Sequence, residues 1–237
     1  MVASLHMREL DRSAALRTLL KGRPGRVPGL VAGEIVLVSP LTERLLPRPD
    51  RHRVAAFAFW TDEEALERFQ EEHEVGTVLA AGWQMRMQPT RIFGSWSGLE
   101  ALEGRTVPMD TDEPAAALTL GRLRPSQVVR FLKASARAER DALAGGALLA
   151  SSGLARPPRL VATFSVWRDL AAMRDFVNGT GAGGHQRAVR SHAARPFHSE
   201  SAFVRLRPLS IHGDAPWWPA LSGLQSTSRR VVVPSPA

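Results

Sequence analysis

The sequence predicts an α+β protein in which tandem ferredoxin-like (βαββαβ) repeats form an intramolecular version of a dimeric α+β barrel. Three observations predict it. Residues 55 to 69, AAFAFWTDEEALERF, align without gaps on residues 162 to 176, ATFSVWRDLAAMRDF, and share Ala55/Ala162, Phe57/Phe164, Trp60/Trp167, Asp62/Asp169, Ala65/Ala172 and Phe69/Phe176. Ordinary residue frequencies would give about one identity in such a stretch. Each copy reads as an apolar strand entering a helix, and each is flanked by the same series of further elements.

Taken in order, the first repeat opens with a strand at Val2–Met7, a helix from Ser13 to Leu20 and a strand at Gly33–Ser39. The apolar run Val54–Trp60 is its third strand. Thr61 then stands as the cap of a helix, with Glu64 three residues on as the partner of a capping box, and Ala65, Leu66 and Phe69 form one apolar face. A fourth strand, Trp83–Trp96, carries a break at Pro89, where a ladder donor is lost. In the second repeat come a strand at Ala115–Arg122, a helix capped by Ser126 and running to Leu143, and a strand near Ala147–Ser151. Next are the strand Leu160–Trp167, a helix lined by Leu170, Met173, Phe176 and Val177, a short helix opened by Gly184, and a last strand at Ser199–Leu209. These boundaries divide the chain into a first repeat at 1–101, a linker at 102–114, a second repeat at 115–213 and a loose tail rich in Pro and Ser at 214–237. Two four-stranded sheets with helices on one face each have an uncovered face, and packing those faces together makes the barrel.

Composition narrows the chemistry. The 237 residues are 44% apolar and 23% charged, as in an ordinary globular chain. No apolar run reaches the roughly 18 residues of a membrane span, and the first ten residues lack a secretory signal, so the expectation is a cytoplasmic protein. Zero Cys excludes disulfides, thiolate nucleophiles and thiolate-bound haem or clusters, and zero Tyr excludes phenolate ligands. A metal must be held by His, Asp, Glu, Met or backbone, and there are seven His. The net charge of +8 lies wholly in residues 108–237, which hold 17 basic against 9 acidic residues, and Arg supplies 29 of the 31 basic residues of the chain. No aromatic-interleaved basic stripe accompanies it, so no nucleic-acid partner is expected; a generally basic surface or a pocket for an anionic group is.

No P-loop, HExxH or nucleophile elbow is present. The run GTGAGG at 179–184 matches a dinucleotide fingerprint in letters only, because it comes after a helix and the phosphate turn must come after a strand. The glycines lead into HQRAVRSHAA, a helix with His185, Val189 and His192 on one face. Two His at i and i+7 are too far apart for one zinc ion. His198 and His212 flank the last strand, and with Arg187, Arg190 and Arg195 they form a basic neighbourhood able to receive carboxylates. Trp60 and Trp167 read as packing residues, and His73 as exposed.

The segments FSVWRDLAAMRDF, GGHQRAVR and FHSESAFVRLRPL, together with MQPTRIFGSWSG and LTLGRLRP, resemble the spheroidene monooxygenase family, colinearly from Leu5 to Gly213. The resemblance implies the duplicated fold and a haem-dependent oxygenation of a carotenoid using reductant and dioxygen. Only His185 matches a position suited to ligate iron, and a neutral imidazole at a helix start is a fitting proximal ligand. The first expectation is therefore a haem-dependent monooxygenase of secondary metabolism. His185 is its metal and cofactor ligand, Arg187 or Arg190 pairs with the propionates, and a small-molecule substrate and an electron donor are its partners. No catalytic residue is assigned. Two alternatives stand beside it: a cofactor-free monooxygenase or isomerase-type enzyme with His192 or His198 as base, and a non-catalytic binding module. Monomer and homo-oligomer are both open.

Overall fold

In the computed structural model, which describes residues 1–21, 27–40, 49–179 and 184–225, eight antiparallel strands close a barrel. The first half supplies β1 (Val2–Glu9), α1 (Arg12–Leu20), β2 (Leu30–Ser39), β3 (Asp50–Trp60), α2 (Glu63–Glu72), α3 (Glu74–Ala80) and β4 (Trp83–Ser95). The second supplies β5 (Ala115–Leu123), α4 (Val128–Ala144), β6 (Leu148–Arg156), β7 (Leu160–Trp167), α5 (Leu170–Asn178), α6 (Gly184–Ala194) and β8 (His198–His212), and α7 (Ser222–Gln225) closes the described chain.

The order around the barrel is β1-β3-β2-β6-β7-β5-β8-β4. Within it the sets β4-β1-β3-β2 and β8-β5-β7-β6 repeat one order, the duplicated ferredoxin-like arrangement that the sequence predicts. The halves are joined edge to edge. One seam is long, β4 on β8 from Gln84↔His212 to Ser95↔Ser201, and the other is short, β2 on β6 from Leu37↔Ala155 to Ser39↔Gly153. The break expected at Pro89 is a register shift between Pro89 and Arg91.

Strand alternation sorts side chains into two layers. Leu5, Met7, Phe57, Phe59, Met85, Phe164, Val166, Val204 and Leu206 point into the barrel and fill it. Outside, α1 to α3 cover the first sheet over Val54, Ala56, Ala58, Trp60, Leu66 and Phe69. Trp60 and Trp167 are packing residues as expected, with their indole N–H groups donating to Ser4 Oγ at 2.9 Å and Ser165 Oγ at 3.0 Å.

Several local expectations change. The caps of α2 and α5 are Asp62 and Asp169, whose carboxylates accept from Ala65 N at 2.8 Å and Ala172 N at 2.7 Å, while Thr61 only donates to Asp62. This is the physical content of the shared Asp, an acceptor for an orphan N–H at a helix start. Ser126 does not cap α4; Pro125–Gln127 forms a 3₁₀ turn ahead of it. His73 is half-buried, because it caps α3 with Nδ1 accepting from Val75 N at 3.2 Å and its ring stacks on Phe69. The start of the tail is not loose. Trp218, 6% exposed, seals the barrel against Trp83 and Phe164, and its indole donates to Ser151 O at 3.1 Å. Residues 226–237 lie outside the described ones.

Candidate functional site

The interior of the barrel is filled by packed side chains among the described residues. The space is on the outward face of the second sheet. Its side chains fall in rows across the strands: Ser151–Ser165–Ala117–Arg205–Arg91, then Gly153–Thr163–Thr119–Phe203–Phe93, then Ala155–Val161–Gly121–Ser201–Ser95. On β6, β7 and β5 these are almost all small. Small side chains under a helix layer leave a gap unless the helices descend onto them, and here they do not. α4 has 17 residues and buries only Ala142. Thr163, Ser165, Val161, Ser151 and Gly153 are half-exposed, and Thr119, in the middle of an inner strand, is exposed.

The first half is the control. Its corresponding residues on β3 and β1, namely Val54, Ala56, Ala58, Ser4 and His6, are all buried under α1 to α3. By register, His6 opposite Ala56 takes the place that Thr119 opposite Thr163 takes in the second half. Where the first half plugs the layer with an imidazole packed on Phe69, the second leaves an opening.

One closed end of the opening is a cavity of about 90 Å³ between Phe131, Leu132, Ser135 and Ala136 of α4 and Gly153, Val161 and Thr163 of the sheet. That is below the roughly 300 Å³ at which small-molecule sites begin. Thr119, exposed and paired across the sheet with the lining residue Thr163, carries the open face on from the cavity to solvent. The cavity walls are apolar with a few hydroxyls; Ser135 Oγ donates to Glu139 at 2.8 Å.

Two of the predicted histidines meet here. The rings of His192 and His198 lie 5.3 Å apart, with His198 edge-on to Phe131 at 5.1 Å and seated over Gly121, where a Cβ would come within 2.6 Å of it. His192 Nδ1 accepts from Phe197 N at 3.2 Å, so that nitrogen is occupied. Burial, and then the neighbouring His192, push His198 down to about 4, and its Nε2 is buried without a partner. Burial and then Arg130 and Arg124 also lower His192. Both rings are neutral near pH 7, and His198 is too weakly basic for proton abstraction at that pH.

His185 stands on the same face of α6 as His192, two turns before it, at the helix start. Its side chain, like residues 180–183 of the glycine run, lies outside the described ones. Arg187 and Arg190 are exposed on α6 one turn apart, and His212 is exposed at the end of β8. Among the described residues no group of three or more His, Asp or Glu is placed to hold a metal ion. Sequence reasoning missed the opening and also Arg205. The signal was present in Val161, Thr163 and Ser165 on a strand face that is Val54, Ala56 and Ala58 in the first copy.

Fold and site together define a duplicated dimeric α+β barrel with one open lateral cleft. A crystal structure of aldoxime dehydratase shares the fold at a TM-score of 0.54, with 10% identity over 87% of this chain and 80% of that one. No protein-family model matches the chain. The spheroidene monooxygenase of Rubrivivax gelatinosus is 39% identical over 173 residues, 70% of this chain, and that of Cereibacter sphaeroides 27% identical over 198 residues, 81% of this chain. The chain is similar to the spheroidene monooxygenases over most of its own length, and it spans 64% and 60% of the length of these two relatives.

Proposed function

We propose that the chain is a haem-dependent monooxygenase acting on an extended apolar small molecule of the carotenoid type, with the cofactor in the second-half cleft. The observation that carries this reading is the uncovered sheet face beneath α4, the helix on which α6 with His185 packs. The likeness to spheroidene monooxygenases supports an oxygenation, and the apolar walls suit both a porphyrin face and a polyene. When bound, haem supplies the activation of dioxygen, with electrons from a separate donor.

The chain's own residues hold and shield the group. His185 offers an imidazole at the start of α6, Phe131 and Leu132 with the small sheet residues give an apolar bed, and Arg187 and Arg190 stand at the outer rim for carboxylates. The closed cavity is smaller than a porphyrin, so loading requires α4 and α6 to lift further from the sheet. Arg130 of α4 ties the two helices to each other by donating to the backbone and hydroxyl oxygens of Ser191, and Phe131 rests edge-on against Phe197 and His198. The low basicity of His198 speaks against His198 as the base of the cofactor-free alternative. We further take the boundaries 1–101, 102–114, 115–213 and 214–237 as the working division of the chain, and a cytoplasmic setting.

The test is spectroscopic. Haemin added to the purified chain should give a Soret band with a stoichiometry of one per chain, which His185→Ala removes or shifts and His192→Ala leaves in place. A chain that takes up no haemin, or a His185→Ala spectrum identical to the parent, ends the proposal.

A further inference from the structure

Arg205 of β8 is 6% exposed, yet no carboxylate among the described residues pairs with it. Its Nε donates to Thr90 Oγ1 at 2.9 Å, and the same hydroxyl donates to Arg205 O at 3.1 Å, so Thr90 fixes the guanidinium from one side. The two terminal nitrogens have no acceptor among the described residues. The charged groups that bear on it are Arg174, Arg91 and Arg207, and these with burial lower its affinity for its own proton. Glu113 is occupied by Arg207, two residues along β8, at 2.6 Å. Arg91 lies over Phe93 at 4.4 Å, and exposed Arg174 of α5 has no ion pair among the described residues.

A recessed guanidinium ringed by like charge is costly unless an anion completes it. Its free edge presents parallel N–H groups, the geometry that a carboxylate or phosphate accepts in bidentate fashion. One row along the sheet is an apolar patch: Phe203, Phe93 at 47% exposure with rings 6.0 Å apart, and then Thr119. Cation row and apolar row side by side match a ligand with a carboxylate head and an apolar body.

We infer that Arg205, clamped by Thr90 and flanked by Arg174 and Arg91, is an oxyanion site for the carboxylate of an amphiphilic ligand lying on the outward face of the second sheet. The site rests on the open sheet face and on no cofactor. A free apolar acid and a porphyrin propionate share its chemistry, and the experiment separates them.

The intact chain is titrated calorimetrically with decanoate, with decanol as the neutral body of equal length, and with inorganic phosphate. Decanoate should bind at least ten-fold more tightly than decanol or phosphate. Arg205→Gln should abolish that preference, and Arg174→Gln, on the exposed surface where folding is not at stake, should reduce it several-fold, while Arg137→Gln leaves it unchanged. Equal binding of acid and alcohol, phosphate binding as tight as decanoate, or a preference that survives both Arg205→Gln and Arg174→Gln overturns the site. In a second arm, haemin should bind more tightly than its dimethyl ester, and Arg205→Gln should narrow the difference if a propionate uses this site and leave it unchanged if only a free acid does. A positive first arm with no haemin uptake keeps the anion site and removes the haem reading instead.

Discussion

At the residue scale the two halves differ most clearly in one pair, His6 and Thr119. His6 is 1% exposed, neither ring nitrogen has a partner among the described residues, and burial followed by the Arg86 charge pushes it down to about 4. An unfolded His titrates near 6.5, so between these values the unfolded chain binds the extra proton. Stability contributed by neutral His6 is therefore complete above about pH 6.5, drains away as pH falls toward 4, and is flat below. The limit is on the order of 3 kcal/mol. Urea unfolding of the parent and His6→Leu at pH 7.5 and 4.5 checks it: the variant should lose less stability on acidification, and parallel losses would refute the assignment. His198 adds a smaller loss of the same sign. None of this is legible in the sequence, because a single His in an apolar strand does not say whether helices will descend on it. The position of His198 is checked by Gly121→Ala, whose new Cβ meets the ring at 2.6 Å. It should cost about 1–3 kcal/mol in thermal or chemical unfolding, as overpacking does.

At the element scale, the repeat was readable because a strand that delivers a Trp to a helix start, with an Asp just beyond it that accepts the N–H three residues on, is a local device written in adjacent residues. Asp62→Ala and Asp169→Ala should each destabilise by about 1 kcal/mol. How far a helix stands off its sheet is not local. It depends on side-chain volumes from three strands and a helix that meet only in the fold, so α4 reads as an ordinary amphipathic helix although nearly all of its inner face is half-exposed. Matched substitutions expose the difference. Ala56 and Thr163 are corresponding residues on β3 and β7, the first buried under α1 to α3 and the second half-exposed beneath the cleft. Ala56→Leu should cost about 1–3 kcal/mol by overpacking. Thr163→Leu, entering open space, should leave the midpoint of unfolding nearly unchanged while weakening ligand uptake. Equal destabilisation at the two sites would mean that the second sheet is as tightly covered as the first.

On the scale of the whole molecule, duplication gives two sheets that must close on each other, and they do so unevenly. The β4–β8 seam runs the length of both strands, whereas the β2–β6 seam pairs only Leu37 to Ser39 with Gly153 to Ala155. The short seam borders the closed cavity through Leu37, Ser39 and Gly153. It is held by Arg156, which donates to Ile35 O at 3.1 Å and lies 4.0 Å from the buried carboxylate of Glu34. Fewer ladder bonds and one bridging side chain make this the place where the barrel opens first. Amide exchange should therefore be faster across 37–39 and 153–155 than across 84–95 and 201–212. Arg156→Ala should accelerate exchange at the short seam and leave the long seam untouched. Trp218 works at the other limit, as a plug against the common core, and Trp218→Ala should cost about 3–5 kcal/mol and raise exchange at both seams together. If Arg156→Ala loosened both seams equally, the barrel would open as one cooperative unit, and the cleft beside the short seam could not widen for a ligand without unfolding the whole.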